Sequence, residues 1–223
     1  MWALALLGAA FVLVQAWYAA HIGWWREHPP RETALMATRL AELRERRPDA
    51  RLAYRWVPYE RISIELKRAM IAAEDAKFVD HEGFDWEGIQ VALDKNYRKG
   101  RIVAGGSTIS QQLAKNLFLS TQKSYWRKAE EALITVMLEA ILDKRRILEL
   151  YLNVVEWGDG VFGAEAAARR YFGIGASALD AGQAARLAAM APNPRYYERH
   201  PDARGLQRKI GIVLSRMPAA QLP

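Results

Sequence analysis

Residues Ala129 to Leu142 constrain the fold more than any other stretch of this chain. Ala132, Leu133, Ile134, Val136, Met137, Leu138, Ala140, Ile141 and Leu142 leave almost no polar side on a helix of 3.6 residues per turn. A helix apolar all round is either a central core helix or a membrane span. Glu131 and Glu139 lie within it, which argues against lipid on every side and predicts a buried, protein-wrapped helix. A carboxylate there must be paired, hydrogen-bonded or neutralised, because isolated buried charge is expensive. Arg127 and Lys128 precede Glu131 by four and three residues, on the same side of the helix.

Further segments read as helix. Residues 32–47 carry an apolar stripe of Leu35, Leu40 and Leu43; Ser63 caps a helix ending near Glu74, and Asp85 one ending near Tyr97. Thr108 with Gln111 forms a capping box, and Ser124 begins the central helix. Lys144 to Asn153 is a second amphipathic stretch in which Glu149 and Asn153 serve the scaffold, and helices follow at about 162–172, 181–191 and 202–216. One short strand is expected at 52–57, and no other. The fold class is therefore mostly α, without the βαβ alternation of a nucleotide-binding sheet.

The first twenty residues hold no charged side chain and one strongly polar one, Gln15. Their length matches a single membrane-spanning helix, and Trp17, Tyr18, Trp24 and Trp25 sit at its exit as interfacial aromatics do. A cleaved signal peptide would show a basic start, a shorter apolar region and a small-x-small cleavage site, none of which is clear here. Residues 1–20 are thus expected to anchor the chain, 21–50 to form a linker and amphipathic helix, and 51–223 a helical domain. Arg26 follows the span and no charged side chain precedes it, so the positive-inside rule does not by itself put the domain outside. With no cysteine there is no disulfide framework. The 32 Lys and Arg against 25 Asp and Glu leave +7, a surface suited to anionic headgroups, phosphorylated substrates or nucleic acid. The apolar N-terminus selects the membrane and sets nucleic acid aside.

Three clusters could carry chemistry. Glu74 and Asp75 end a helix, where the dipole disfavours negative charge, and adjacent carboxylates raise each other's pKa unless a cation such as Lys77 is near. Phe78, His81 and Gly83 follow in a turn-like run; the plain alternative is a solvated helix end with an aromatic plug. Gly105 and Gly106 lead into the Thr108 cap, an arrangement that binds anions through free backbone N–H groups, with Gln112 and Lys115 on one face. Arg127, Lys128 and Glu131 form the third; a structural ion pair is its plain alternative.

Taken together, EDAKFVDHEG at 74–83, GGSTISQQLAKN at 105–116, the run from Arg127 to Asn153, and GVFGAEAAARRYFG at 160–173 resemble the peptidoglycan glycosyltransferases of family 51, in order and spacing. The resemblance covers roughly residues 55–195. With an anchor in front and no room for a second domain before Pro223, it implies the monofunctional form. It implies a lysozyme-like helical domain with a small jaw-like, membrane-associated subdomain, on the periplasmic side of the bacterial inner membrane. It implies lipid II and the growing glycan strand as substrates and other cell-wall synthesis or division proteins as neighbours; no cofactor is firmly expected, a divalent cation, magnesium or manganese, at the pyrophosphate being left as an open option. By motif position the general base is Glu74 and the second acid Glu131. Asp75, Phe78, His81, Thr108, Gln112, Lys115, Arg127 and Lys128 are the substrate-binding set. Glu130 departs from the pattern, being basic in some relatives, and puts a second negative charge beside Glu131. Two other readings remain beside this one: a lytic, glycan-cleaving enzyme of the same broad fold, and a non-enzymatic membrane-tethered binding protein.

Overall fold

A computed structural model of the chain describes residues 2–101, 105–122 and 124–223. Helix α1 (Trp2–Trp24) is long and apolar enough to cross a membrane, with most of its surface bare. After it come α2 (Ala34–Arg46), the short strand β1 (Ala53–Tyr54), α3 (Ile64–Glu74), α4 (Trp86–Lys99) and α5 (Ile109–Phe118). The chain continues through α6 (Tyr125–Ile141), α7 (Lys144–Val154), β2 (Glu156–Gly158), β3 (Val161–Phe162), α8 (Ala164–Phe172), α9 (Ala181–Met190), α10 (Pro194–Arg199) and α11 (Arg204–Arg216). The molecule is mostly helical, as its periodicity predicts. The caps also fall where expected: Ser63 accepts from Glu65 N–H, Asp85 from Gly88, Ser124 from Arg127, and Thr108 and Gln111 close a full capping box. Asp143 caps α7 and so divides the long Ser124–Asn153 stretch into two helices.

Helix α9 packs against both α3 and α11, while α5 packs against α6 and α7. Between these layers Phe78, Leu113, Ile134, Leu148, Tyr151 and Trp157 are completely or almost completely buried. Each such side chain contributes roughly 1.5–3 kcal/mol by leaving water. Asn153 ties the layers to the strand region. Its amide accepts from Val57 N–H at 2.9 Å and donates to Val57 C=O at 2.9 Å, while Glu149 accepts from Tyr59 N–H at 3.0 Å. These two residues do the scaffold work expected of them.

Three expectations fail. The strand expected at 52–57 shrinks to two residues, and two unexpected strands complete a sheet of order β1-β3-β2. Ala53 and Tyr54 pair in parallel with Val161 and Phe162, and β2 pairs antiparallel with β3. The Asp159-Gly160 turn between β2 and β3, with φ of 78° at Gly160, is a hairpin signal in the sequence. Its flanking strands are fully buried, so they lack the alternation that marks a strand. Helix α10 was not expected either; it is a short turn started by Pro194. Finally, α6 is not wrapped on all sides. It buries Glu131, Ile134, Thr135 and Leu138 on one stripe, while Leu133 and Val136 stay exposed beside the apolar surface of α1, which packs on it. The linker after α1 is strapped down: Arg146 donates to Trp25 and His28 carbonyls at 2.8 and 2.9 Å, and Tyr54 to Pro30 C=O at 2.8 Å.

Candidate active site

Glu74 is the last residue of α3, so its side chain emerges where the helix stops. It lines a cleft of about 430 Å³ walled by Ala72, Ser107 and Gln112 on one side and Ala189, Lys209 and Arg216 on the other. Burial pushes its carboxyl pKa up, with Asp75 adding to the rise. The Gln112 hydrogen bond and the charges of Lys209 and Lys115 pull it part of the way back. Gln112 Nε2 donates to Glu74 Oε2 at 2.7 Å, and Tyr151 Oη donates to Gln112 Oε1 at 3.0 Å. That second bond fixes which end of the amide faces Glu74. Tyr151 is fully buried, and desolvation, reinforced by the charges of Glu74 and Asp75, raises its phenol far enough that it stays a donor. The carboxylate is thus held by one hydrogen bond, largely dehydrated and open to the cleft.

Asp75 sits next to Glu74 in sequence but has a different job. It is buried, its Oδ2 accepts from Ile109 N–H at 3.0 Å, and its Oδ1 lies 2.9 Å from His81 Nε2. His81 Nδ1 accepts from Gly83 N–H at 3.1 Å, so the ring proton is on Nε2, pointing at Asp75. Gly83, at φ 87°, has no room for a side chain: a Cβ would lie 2.8 Å from Thr135 Cγ2. Thr108 Oγ1 donates to Gly83 C=O at 2.7 Å. The N-terminus of α5, expected to offer free N–H groups to a substrate anion, is therefore already served by Asp75 and the Thr108–Gln111 box. Phe78 is completely buried beneath Lys144, whose ammonium lies 4.7 Å from the ring centroid. Phe78 is shut inside the protein, while Asp75 and Thr108, although largely buried, line a smaller cavity of about 200 Å³ that shares Glu74, Gly105 and Ser107 with the cleft. Lys77, expected beside the acid pair, reaches away to Glu87.

Helix α5 links this cleft to the third cluster. Lys115, one turn after Gln112, feels Glu131, Arg127, Lys128 and Glu74 together; burial lowers its pKa and the two carboxylates work against that drop. Glu131 is buried, with one oxygen on Arg127 Nη1 at 2.8 Å and the other on Lys128 Nζ. Three cations around one carboxylate leave an excess of positive charge near Lys115, which also feels Glu74. Both Glu131 oxygens are engaged by cations, and no group of three His, Asp or Glu gathers among the described residues. Glu130 does not disturb that balance: it turns away to α1, where Gln15 Nε2 lies 3.5 Å from its Oε1.

The structure therefore gathers Glu74, Gln112, Lys115, Arg127, Lys128 and Glu131 into one electrostatically linked group along α5, with Asp75, Thr108 and His81 beside it and Phe78 buried beneath. Sequence reasoning missed Tyr151, Lys209, Arg216 and the Glu139 bridge from Ser110 to Lys144. Lys209 and Arg216 are seven residues apart on one face of an amphipathic helix, a legible cationic stripe. Tyr151 carries no such signal, standing in an ordinary apolar stripe.

A family model described as Transglycosylase matches residues 40–218. The chain is 63% identical over 220 residues to the biosynthetic peptidoglycan transglycosylase of Chromobacterium violaceum, covering 99% of this chain and 96% of that one. It is 64% identical over 219 residues to the protein so named in Laribacter hongkongensis, covering 98% and 96%. Against the protein of that name from Azoarcus sp. it is 61% identical over 225 residues, covering 100% and 97%.

Proposed function

Since the chain belongs to the transglycosylase family and is a peptidoglycan glycosyltransferase, we propose that it polymerises lipid II by a single inverting displacement with Glu74 as general base. The acceptor is the 4-hydroxyl of the GlcNAc of lipid II. The donor is the growing strand, whose MurNAc C1 is bonded to undecaprenyl pyrophosphate. Glu74 takes the hydroxyl proton as the oxygen attacks C1; the new β-1,4 bond forms, the C1–pyrophosphate bond breaks, and the α configuration inverts. A carboxylate whose pKa is raised toward working pH is a better base than an ordinary one, and general-base help is worth roughly 10²–10⁴-fold. The leaving pyrophosphate gains negative charge, which Lys115, Arg127 and Lys128 stabilise, while Glu131 holds the last two in place. The observation that carries the reading is the path along α5, with a dehydrated carboxylate at Gln112 and a cationic cluster one turn on at Lys115.

The lipid-borne substrate places the reaction at the bilayer surface. We assign α1 as a single-pass anchor in the inner membrane with the catalytic domain periplasmic; anchoring raises the effective concentration of a substrate confined to the same bilayer. Purified enzyme with labelled lipid II in detergent should release undecaprenyl pyrophosphate and make long, lysozyme-sensitive glycan. Shortening of purified glycan strands, with lipid II left intact, would instead mean a lytic enzyme, which has no use for a pyrophosphate cradle.

A further inference from the structure

Two of the places where the membrane helix touches the catalytic domain lie one turn from the cationic cluster. Gln15, Tyr18, Ile22 and Trp25 form a single stripe on α1 and its exit, and Tyr18, Ile22 and Trp25 are buried. Phe118, three residues after Lys115 on α5, is held by this stripe: its ring centroid lies 4.8 Å from Tyr18, 5.1 Å from Trp25 and 5.8 Å from Trp17. Glu130 on α6 is three residues after Arg127 and adjacent to Glu131; it faces Gln15 Nε2 at 3.5 Å and the Tyr18 hydroxyl. Arg146 closes the exit by donating to the Trp25 and His28 carbonyls.

Simple tethering needs none of this. A span that only anchors is best made of apolar residues, and Gln15 is the one strongly polar residue of the first twenty. Its Oε1 is buried without a partner, so the amide is held in place by its Nε2 alone. An amide at an apolar helix contact costs roughly 1–3 kcal/mol when unbonded, so the facing Gln15 and Glu130 fix the rotation and depth of α1 against α6. Turning α6 about its axis would swing Arg127, Lys128 and Glu131 together. Moving the end of α5 would shift Lys115.

We infer that α1 is a positioning element of the active site, in which the Gln15–Glu130 contact and the aromatic socket of Phe118 set the cationic cluster that receives the pyrophosphate. The inference rests on the reading of that cluster as a pyrophosphate cradle. Its test uses the full-length chain in detergent micelles, where the anchor no longer concentrates enzyme on a bilayer. Gln15→Leu keeps the length and apolarity of the span, Glu130→Leu removes the other half of the contact, and Glu130→Gln keeps an acceptor for Gln15. Titration with farnesyl pyrophosphate reads the cradle without turnover, and lipid II polymerisation reads KM and kcat. Gln15→Leu and Glu130→Leu should each weaken farnesyl pyrophosphate binding and raise KM by about three- to tenfold, the size of a coupling transmitted through packed helices. Glu130→Gln should stay near wild type in binding and melting temperature, whereas Glu130→Leu, which leaves the Gln15 amide unbonded, should also melt a few degrees lower. Wild-type binding by both leucine variants would overturn the inference. A weakened cradle in a protein that never polymerises lipid II would sustain the coupling and overturn the proposed reaction instead.

Discussion

Glu74 and Asp75 are neighbours with the same carboxyl group, and the fold sends them to opposite fates. Asp75 receives a backbone N–H and the His81 ring and becomes part of the scaffold; Glu74 receives one amide and faces the cleft. Desolvation raises the pKa of Glu74 above its unfolded value, so the native state binds this proton more tightly than the unfolded chain does. Stability contributed by the protonated form is therefore present at low pH and lost as pH rises through the raised pKa. Glu74→Gln should then melt a few degrees higher than wild type at neutral pH, with the difference vanishing below about pH 4, where both states of the wild type are protonated. Turnover should show the converse: kcat/KM falls with acid on a limb displaced upward from an ordinary glutamate. Melting and pH–rate curves of the two proteins check both halves. At this scale the sequence was informative about which residues matter and less so about what each does. The pairing of Glu131 with Arg127 and Lys128 follows from helical spacing, whereas the burial of Phe78 and the turning of Lys77 to Glu87 depend on contacts remote in sequence.

Among elements, α5 is the spine of the site. Asp75 and the Thr108–Gln111 box complete its N-terminus, Gln112 and Lys115 face the reaction path, and Phe118 meets the membrane helix. Its position depends on α7, whose Tyr151 orients Gln112 and whose Asn153 holds the chain at Val57. Replacing Asn153 with Leu would leave both polar backbone groups of Val57 buried without their partner. At roughly 1–3 kcal/mol for each orphaned group, the loss is about 3 kcal/mol. In a chain of this length that is a fall of about 8 °C in melting temperature, measurable by calorimetry. Most helices and their caps were legible because capping chemistry is local, while the Asp143 cap and α10 were not read from the sequence. The β2–β3 hairpin was not, because fully buried strands carry no alternation, and α6 was misjudged because composition cannot distinguish a face turned to protein from one turned to the surface of α1.

At the scale of the whole molecule, apolar surface gathers where a bilayer would meet it. The bare face of α1 is joined by Leu133 and Val136 on α6, with Tyr125 and Trp126 at the start of that helix almost fully exposed. Exposed aromatics and aliphatics in such number suit the membrane placement proposed for α1. The cleft holding Glu74 opens between α3 and α11, and the cationic path along α5 leads from it toward the helices that pack on α1. In the proposed reaction this arrangement lets a lipid-linked pyrophosphate and a sugar hydroxyl meet with the lipid still in the membrane. The central claim is that Glu74 removes the acceptor proton, and the most direct measurement is polymerisation of labelled lipid II by Glu74→Gln beside a separate assay of lipid II binding. The glutamine is nearly isosteric and retains an oxygen for Gln112, so the fold and substrate affinity should persist while polymerisation drops by about 10² to 10⁴-fold. Polymerisation at the wild-type rate by the folded variant would contradict the assignment and the mechanism built on it.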